Sequence, residues 1–142
     1  MRRPFQLTIV KRDGVLFEGR AEHIRLPGVD GLFGVLAHHV PIVAELTTGP
    51  IDVRPFGEKE DIRFSCTGGL VEVNRENSVT VLLDAGERSD QIDVERAQAA
   101  AERARQQLAR ARQDHSIDMA RAQAALARAL LRLRIARKAD KQ

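Results

Sequence analysis

The sequence predicts an α+β protein, an N-terminal antiparallel β-sandwich of about 8–10 short strands followed by an antiparallel two-helix hairpin. Three observations carry that prediction. All ten glycines, all five prolines and all five phenylalanines of the 142 residues precede residue 91. Before that point, short apolar or alternating segments recur between turn residues, the pattern of a compact all-β domain. After it, residues 92–100 (IDVERAQAA) return at residues 117–125 (IDMARAQAA) with seven identities in nine. The expected division is residues 1–88 for the sandwich and 89–142 for the hairpin.

The strands follow in order. Residues 5–10 alternate apolar and polar up to Asp13-Gly14, a hairpin signal because such a turn needs positive φ. Further strands are expected at 15–17, 21–26, 32–36, 51–56, 61–66, 70–73 and 78–83. Their close spacing favours a sandwich or flattened barrel, and a unit of this size buries about two-thirds of its surface.

The repeats predict helices over 92–113 and 117–138. No Gly or Pro interrupts them, and Ala, Arg, Gln and Leu all favour helix. Asp93 and Asp118 are candidate N-caps, because a carboxylate accepts the unpaired amide protons of a first turn; Asp90 and Ser116 compete for that role. Ala97, Ala101, Ala104, Leu108 and Ala111 form a seam at 4-3-4-3 spacing, matched by Ala122, Leu126, Ala129, Leu133 and Ala136. With only Asp114-His115-Ser116 as a polar break between them, the seams predict an antiparallel hairpin. Alanine seams let backbones approach closely but bury little area, and apolar stabilisation scales with area. The hairpin is therefore expected to be marginal and able to open.

Charge divides the chain at the same place. Residues 1–90 carry 11 Lys/Arg and 14 Asp/Glu, and residues 91–142 carry 12 and 6, so a net −3 precedes a net +6. Between residues 119 and 138 there are six Lys/Arg and no carboxylate. Arg96, Arg103 and Arg110 recur every seven residues, with Arg121, Arg128 and Arg132 on the second helix. Like charges at i,i+4, such as Arg128 and Arg132, destabilise a helix by a few tenths of a kcal/mol, so this face points to an anionic partner.

Several function classes fall away. No apolar run approaches the roughly 20 residues of a membrane-spanning helix, and Met1-Arg2-Arg3-Pro4-Phe5 leads into no apolar stretch of a secretory signal. One cysteine, Cys66, forms no internal disulfide and suits a reducing compartment. Gly28, Gly31 and Gly34 fit neither a Walker loop nor a dinucleotide fingerprint. His38 and His39 are adjacent and would point to opposite faces of a strand, a poor metal pair. Asp30, Glu45 and Asp52 read as scattered surface carboxylates, and Cys66 as a small core residue. A basic-armed nucleic-acid-binding module is the alternative reading of the charge, against which stand the acidic first ninety residues and the lack of Tyr and Trp for stacking. A small enzyme using Cys66 or His38-His39 is a third.

The order of parts resembles the epsilon subunit of rotary F-type ATP synthases over nearly the whole chain. The markers are Gly31-Leu32-Phe33-Gly34-Val35-Leu36 through His39 and Pro41, Gly68-Gly69-Leu70-Val71-Glu72-Val73, and Val79-Thr80-Val81-Leu82-Leu83. The sharpest is Ile92-Asp93-Val94-Glu95-Arg96-Ala97, similar to the family's nucleotide-binding IDxxRA motif. The resemblance implies a non-catalytic central-stalk subunit with no catalytic cofactor and no nucleic acid. Its partners would be the gamma subunit, the c-subunit ring and, in an extended state, the catalytic alpha/beta hexamer. The complex would hold it, peripherally, at the cytoplasmic face of a bacterial plasma membrane. The hairpin would inhibit ATP hydrolysis when extended and permit activity when folded down, with ATP (and Mg²⁺) as a regulatory ligand of the folded state. Carried over by position, the ATP site would be Glu87, Ile92, Asp93, Arg96, Ala97, Arg103, Arg128 and Arg132. The c-ring contact would use Asp30, Leu32 and His39, and the inhibitory basic face Arg121, Arg128, Arg132, Arg134 and Arg137. Leu32 stands where many relatives are acidic, which implies a more apolar contact there or one made by Asp30.

Overall fold

The computed structural model describes residues 3–140, with side chains to Ala136, and divides into two units, Met1–Ser89 and Asp90–Gln142. In the first, seven strands run β1 (Phe5–Lys11), β2 (Gly14–Gly28), β3 (Gly31–Leu36), β4 (Ile42–Pro55), β5 (Ile62–Val73), β6 (Ser78–Leu83) and β7 (Gly86–Arg88). Hydrogen bonding follows the order β1-β6-β5-β4-β2-β3, and β1 also pairs with β2. That extra pairing closes β1, β6, β5, β4 and β2 into a ring, a flattened barrel to which β3 and β7 are added on β2 and β5. Closure removes the unpaired edge groups that would otherwise template aggregation.

The expected strands are present but fewer and longer. Residues 15–17 and 21–26 are both part of the 15-residue β2, and 61–66 and 70–73 are both part of the 12-residue β5. β4 starts nine residues before the expected 51–56 strand and runs through Thr47-Thr48-Gly49-Pro50, a stretch of turn residues in a local reading. Glycine here permits close approach. A Cβ on Gly49 would lie 2.6 Å from Pro27 Cβ, and one on Gly69 (φ +151°) would lie 2.1 Å from the Leu82 carbonyl oxygen. The ladder continues through both sites, with Gly49 opposite Cys66 and Gly69 opposite Leu83 and Leu46. One pairing departs from a wholly antiparallel sheet: β1 and β6 are parallel, Leu7 opposite Val79 and Ile9 opposite Val81.

Alternation sets the core. Leu7 and Ile9 of β1, Ile24 and Leu26 of β2, Ile51 and Val53 of β4 and Phe64 of β5 are completely buried. Asp52 is buried too, and it accepts from Arg63 Nε at 2.6 Å across the β4–β5 pair, so its charge is matched.

A 3₁₀ turn (Ser89–Gln91) at the boundary leads into the second unit, where α1 spans Val94–Ala111 and α2 spans Met119–Asp140. Both helices start two residues later than the expected 92 and 117, because the aspartates stand outside as caps. Asp93 Oδ1 accepts from the Arg96 amide at 3.0 Å, and Asp118 Oδ1 accepts from the Arg121 amide at 3.1 Å. Asp90 and Ser116 are not the caps. α1 ends at Ala111 where Asp114 folds the chain back: its Oδ1 accepts from the Ser116 amide at 3.0 Å and the Ser116 hydroxyl at 2.6 Å. Those two bonds hold the exposed Asp114 carboxyl below its ordinary range.

The seam forms largely as spaced. Ala97, Ala101, Ala129 and Leu133 make one buried cluster, with Ala100 and Leu126 at its margin. Leu108 and Leu126 are half-buried instead of buried. A second cluster joins Ile92 to Leu131, Ile135 and Ala136; of these only Ala136 belongs to the expected seam.

Candidate functional site

The hairpin's pairing fixes which arginines share an end. Ala97 and Ala101 pack with Ala129 and Leu133, so α1 and α2 run antiparallel and the first turns of α1 lie beside residues 128–136. Arg96, Arg128 and Arg132 are therefore gathered at one end of the hairpin. Arg103 lies about two turns further along α1, since each residue advances 1.5 Å. Arg96, Arg103 and Arg128 are exposed and, among the described residues, make no ion pair; Arg132 is half-buried and does have a partner. The local reason for the exposure is sequence: each arginine is flanked by the buried alanines of the seam and points away from it.

The other residues carried over divide by environment. Asp93 is the exposed cap of α1, with one carboxylate oxygen on the Arg96 amide. Ala97 is fully buried in the seam, and the Ile92 side chain is nine-tenths buried among Leu131 and Ile135. Both thus present backbone more than side chain to the hairpin's surface. Glu87 lies in the other unit, on β7; its amide donates to Ser65 Oγ at 3.2 Å, and it is half-buried with an interaction partner. Arg121 and Arg134 are exposed on α2, again without ion pairs among the described residues. The Arg137 side chain lies outside the described residues.

The expected c-ring group separates into two places. Asp30 sits in the two-residue turn joining β2 to β3, and Leu32, 63% exposed, is the second residue of β3 opposite Pro27. With Val29, also exposed, they form an apolar hairpin tip bearing one carboxylate. His39 lies beyond the far end of β3, where its Nδ1–H donates to the Val40 carbonyl at 2.7 Å. His38 beside it adopts φ +63°, its amide donating to Asn77 Oδ1 at 2.7 Å. The histidines thus shape a connection. Among the described residues no group of three or more His, Cys, Asp or Glu could hold a metal ion.

Cys66 is buried, with its thiol against the Thr47 carbonyl at 3.4 Å and accepting from the Gly68 amide at 3.4 Å. Burial pushes its pKa up, the Gly68 hydrogen bond opposing and the Asp84 charge adding to the rise. A buried thiol held neutral is inert as a nucleophile.

One surface was not singled out in the sequence. Leu70 of β5 and Leu82 of β6 are cross-strand partners on the outer face, both about half exposed, and Val43 is still more exposed beside Glu72. Glu45, Leu70, Leu82 and Asp84 line a shallow cleft there of about 290 Å³. The signal was present in the run Val79-Thr80-Val81-Leu82-Leu83, since strict alternation makes Leu82 an outward residue.

Residues 4–89 match the family described as ATP synthase, Delta/Epsilon chain, beta-sandwich domain, and residues 90–137 match its long alpha-helix domain. The chain is 41% identical over 104 residues to the ATP synthase epsilon chain of Shouchella clausii, covering 73% of this chain and 76% of that one. It is 40% identical over 114 residues to that of Lawsonia intracellularis, covering 80% and 84%. Among solved structures, a chain of the Euglena gracilis mitochondrial ATP synthase (OSCP/F1/c-ring in rotational state 1) superposes with a TM-score of 0.75 at 23% identity, covering 98% of this chain and 82% of that one, a likeness of fold.

Proposed function

The chain belongs to the ATP synthase Delta/Epsilon family as a non-catalytic epsilon subunit of the F-type central stalk, and on that premise we propose that its hairpin regulates ATP hydrolysis through ATP binding. The observation that carries the reading is the gathering of Arg96, Arg128 and Arg132 at one end of an alanine-seamed hairpin, beside the capped start of the Ile92–Ala97 motif. Guanidinium groups donate in planar forks that suit phosphate oxygens. Arg103 extends the basic track, while Asp93 and the backbone at Ile92 and Ala97 suit the adenine and ribose edges. Mg²⁺ would accompany the nucleotide and neutralise its remaining charge.

The mechanism is linkage. A ligand that binds only the closed hairpin stabilises it by RT ln(1 + [L]/Kd), about 4 kcal/mol at a thousandfold excess over Kd. An alanine seam is weak enough for that amount to reset its equilibrium. With ATP scarce the hairpin opens and extends along the gamma subunit into the alpha/beta hexamer. There Arg121, Arg128, Arg132, Arg134 and Arg137 face acidic surface and hydrolysis stops. With ATP abundant the hairpin stays folded down and the motor turns.

The β unit is the coupling piece. The tip formed by Val29, Asp30 and Leu32 suits the loops of the c-subunit ring, making a mostly apolar contact with Asp30 as its charge, and His39 orients the following connection. The Leu70–Leu82 face suits the gamma subunit, since contiguous exposed apolar residues mark interfaces. This seats the protein peripherally, at the cytoplasmic face of a bacterial plasma membrane.

The test is calorimetric titration of the full chain with ATP and Mg²⁺, beside an Arg96→Ala, Arg128→Ala double variant. Micromolar binding that the variant weakens at least a hundredfold is the expected result. No heat up to several millimolar ATP would sink the sensor reading and leave the hairpin to be governed by rotation and subunit contacts.

A further inference from the structure

The two copies of the repeat are treated differently by the fold. Both start with Ile-Asp, and both aspartates cap their helices with nearly equal bonds of 3.0 and 3.1 Å. The isoleucines then part. Ile92 is only 9% exposed and clusters with Leu131, Ile135 and Ala136, whereas Ile117 is half-buried and belongs to no buried cluster among the described residues. Sequence alone gives both the same standing.

The partners of Ile92 are also unusual for the hairpin. Leu131 and Ile135, four residues apart, lie on one ridge of α2. Leu133, which packs in the alanine seam, lies two residues on, roughly 200° around the helix at 100° per residue. Residues 131–136 of α2 are thus buried on two sides, one by the seam with α1 and one by a cluster that includes the residue just before the α1 cap. With Leu133 of the seam these are the large buried side chains of α2: Leu131 is 4%, Leu133 8% and Ile135 1% exposed, while the buried positions of α1 are all alanine.

We propose that Ile92 is a positioning residue, whose side chain packs against Leu131 and Ile135 and ties the start of α1 to residues 131–136 of α2, and that this side chain serves the motif through the anchor and not by touching ligand. This rests on the reading that Arg96 and Arg132 act together on phosphate. In the seam α1 buries only alanines against Ala129 and Leu133, which sets its register weakly; the anchor adds a large residue on the α1 side and fixes the register that puts the Arg96 turn beside Arg132. It also ties nucleotide to closure, because an isoleucine withdrawn from α2 carries Asp93, its covalent neighbour, away from the α1 amides.

The test separates the anchor from the ligand reading. Backbone hydrogen exchange is measured on the full chain without nucleotide, for Ile92→Ala, Leu131→Ala and the double variant. Each single change is expected to speed exchange at least tenfold at Arg96, Ala97 and residues 135–136, leaving 122–129 within threefold, with the double variant no worse than the poorer single. Ile92→Val is expected to stay within threefold of the parent throughout. In MgATP titration, Leu131→Ala is expected to weaken binding as much as Ile92→Ala, at least tenfold, although it lies outside the motif. Uniform loosening of the whole hairpin, additive effects, or MgATP binding lost by Ile92→Ala and kept by Leu131→Ala would each overturn the anchor. If the parent binds no MgATP, the sensor reading fails alone, and the exchange pattern still decides the anchor.

Discussion

The β unit and the helical hairpin solve the same burial problem with different side chains. The barrel encloses Phe5, Leu7, Ile9, Ile24, Leu26, Ile51 and Phe64 at essentially zero exposure, within a ladder closed on itself. The hairpin has two helices, one face each, and fills most of that face with alanine. Full burial of a Leu, Ile or Phe contributes roughly 1.5–3 kcal/mol, and a methyl group only a fraction of that. A barrel of this kind is a rigid foundation. The hairpin is an element whose state other contacts can choose, and among the described residues its large buried side chains are Leu133 in the seam and the Ile92–Leu131–Ile135 cluster.

The largest effect should come from striking the rigid unit where it has no room. Gly69→Ala places a Cβ within 2.1 Å of the Leu82 carbonyl at φ +151°. A loss of about 3 kcal/mol or more is expected, seen as a shifted denaturant midpoint for the barrel, because neither the backbone nor the β6 carbonyl can yield. A midpoint unchanged within error would mean that the β5–β6 ladder is softer than its geometry, and the contrast with the hairpin would weaken.

Caps give a smaller and local effect. Asp93→Ala and Asp118→Ala should each cost about 1 kcal/mol of helix stability, read as helicity lost on heating while the barrel's transition stays in place. Loss of the barrel's transition in either variant would show the two units to be one cooperative body. Since both bonds are near 3 Å, equal costs are expected unless the anchor beside Asp93 adds to that site.

The smallest effect is at alkaline pH. The Cys66 pKa is raised by burial above its ordinary value of 9.0. The folded state therefore keeps its proton where the unfolded chain has lost it. Stability from this source is complete below the unfolded value and declines as pH rises through the folded one. Cys66→Ala should flatten the alkaline fall of the barrel's melting temperature. An identical fall in both proteins would assign it to other groups. Asp114 behaves oppositely: its contribution is present above the ordinary carboxyl value and fades as pH falls through the lowered one.

Much of the molecule was legible in the chain, for reasons visible in particular residues. The repeat at residues 92 and 117, with its aspartates, identified two capped helices because capping is a contact between residues three apart. The alanine spacing identified the seam because helix periodicity is local. What misled was turn chemistry. Gly68-Gly69 and Thr47-Thr48-Gly49-Pro50 read as breaks, yet strands run through them, since neighbouring ladders supplied the bonds and the glycines made room for Leu82 and Pro27. The resemblance groups Asp30, Leu32 and His39, and the whole of β3 lies between Asp30 and His39 in the chain.

The sequence by itself determined the division near residue 90, the α+β class, the family through its motifs, and the basic excess of the hairpin, since composition, periodicity and short motifs need no distant partner. Only the tertiary structure decided that β1 closes the sheet by lying parallel to β6, that Leu70 and Leu82 meet on the outer face, and that Ile92 is buried while Ile117 is not. Each of these depends on which residues far apart in the chain become neighbours. Two nearly identical local segments acquire different roles only when the rest of the fold buries one isoleucine and leaves the other half-buried.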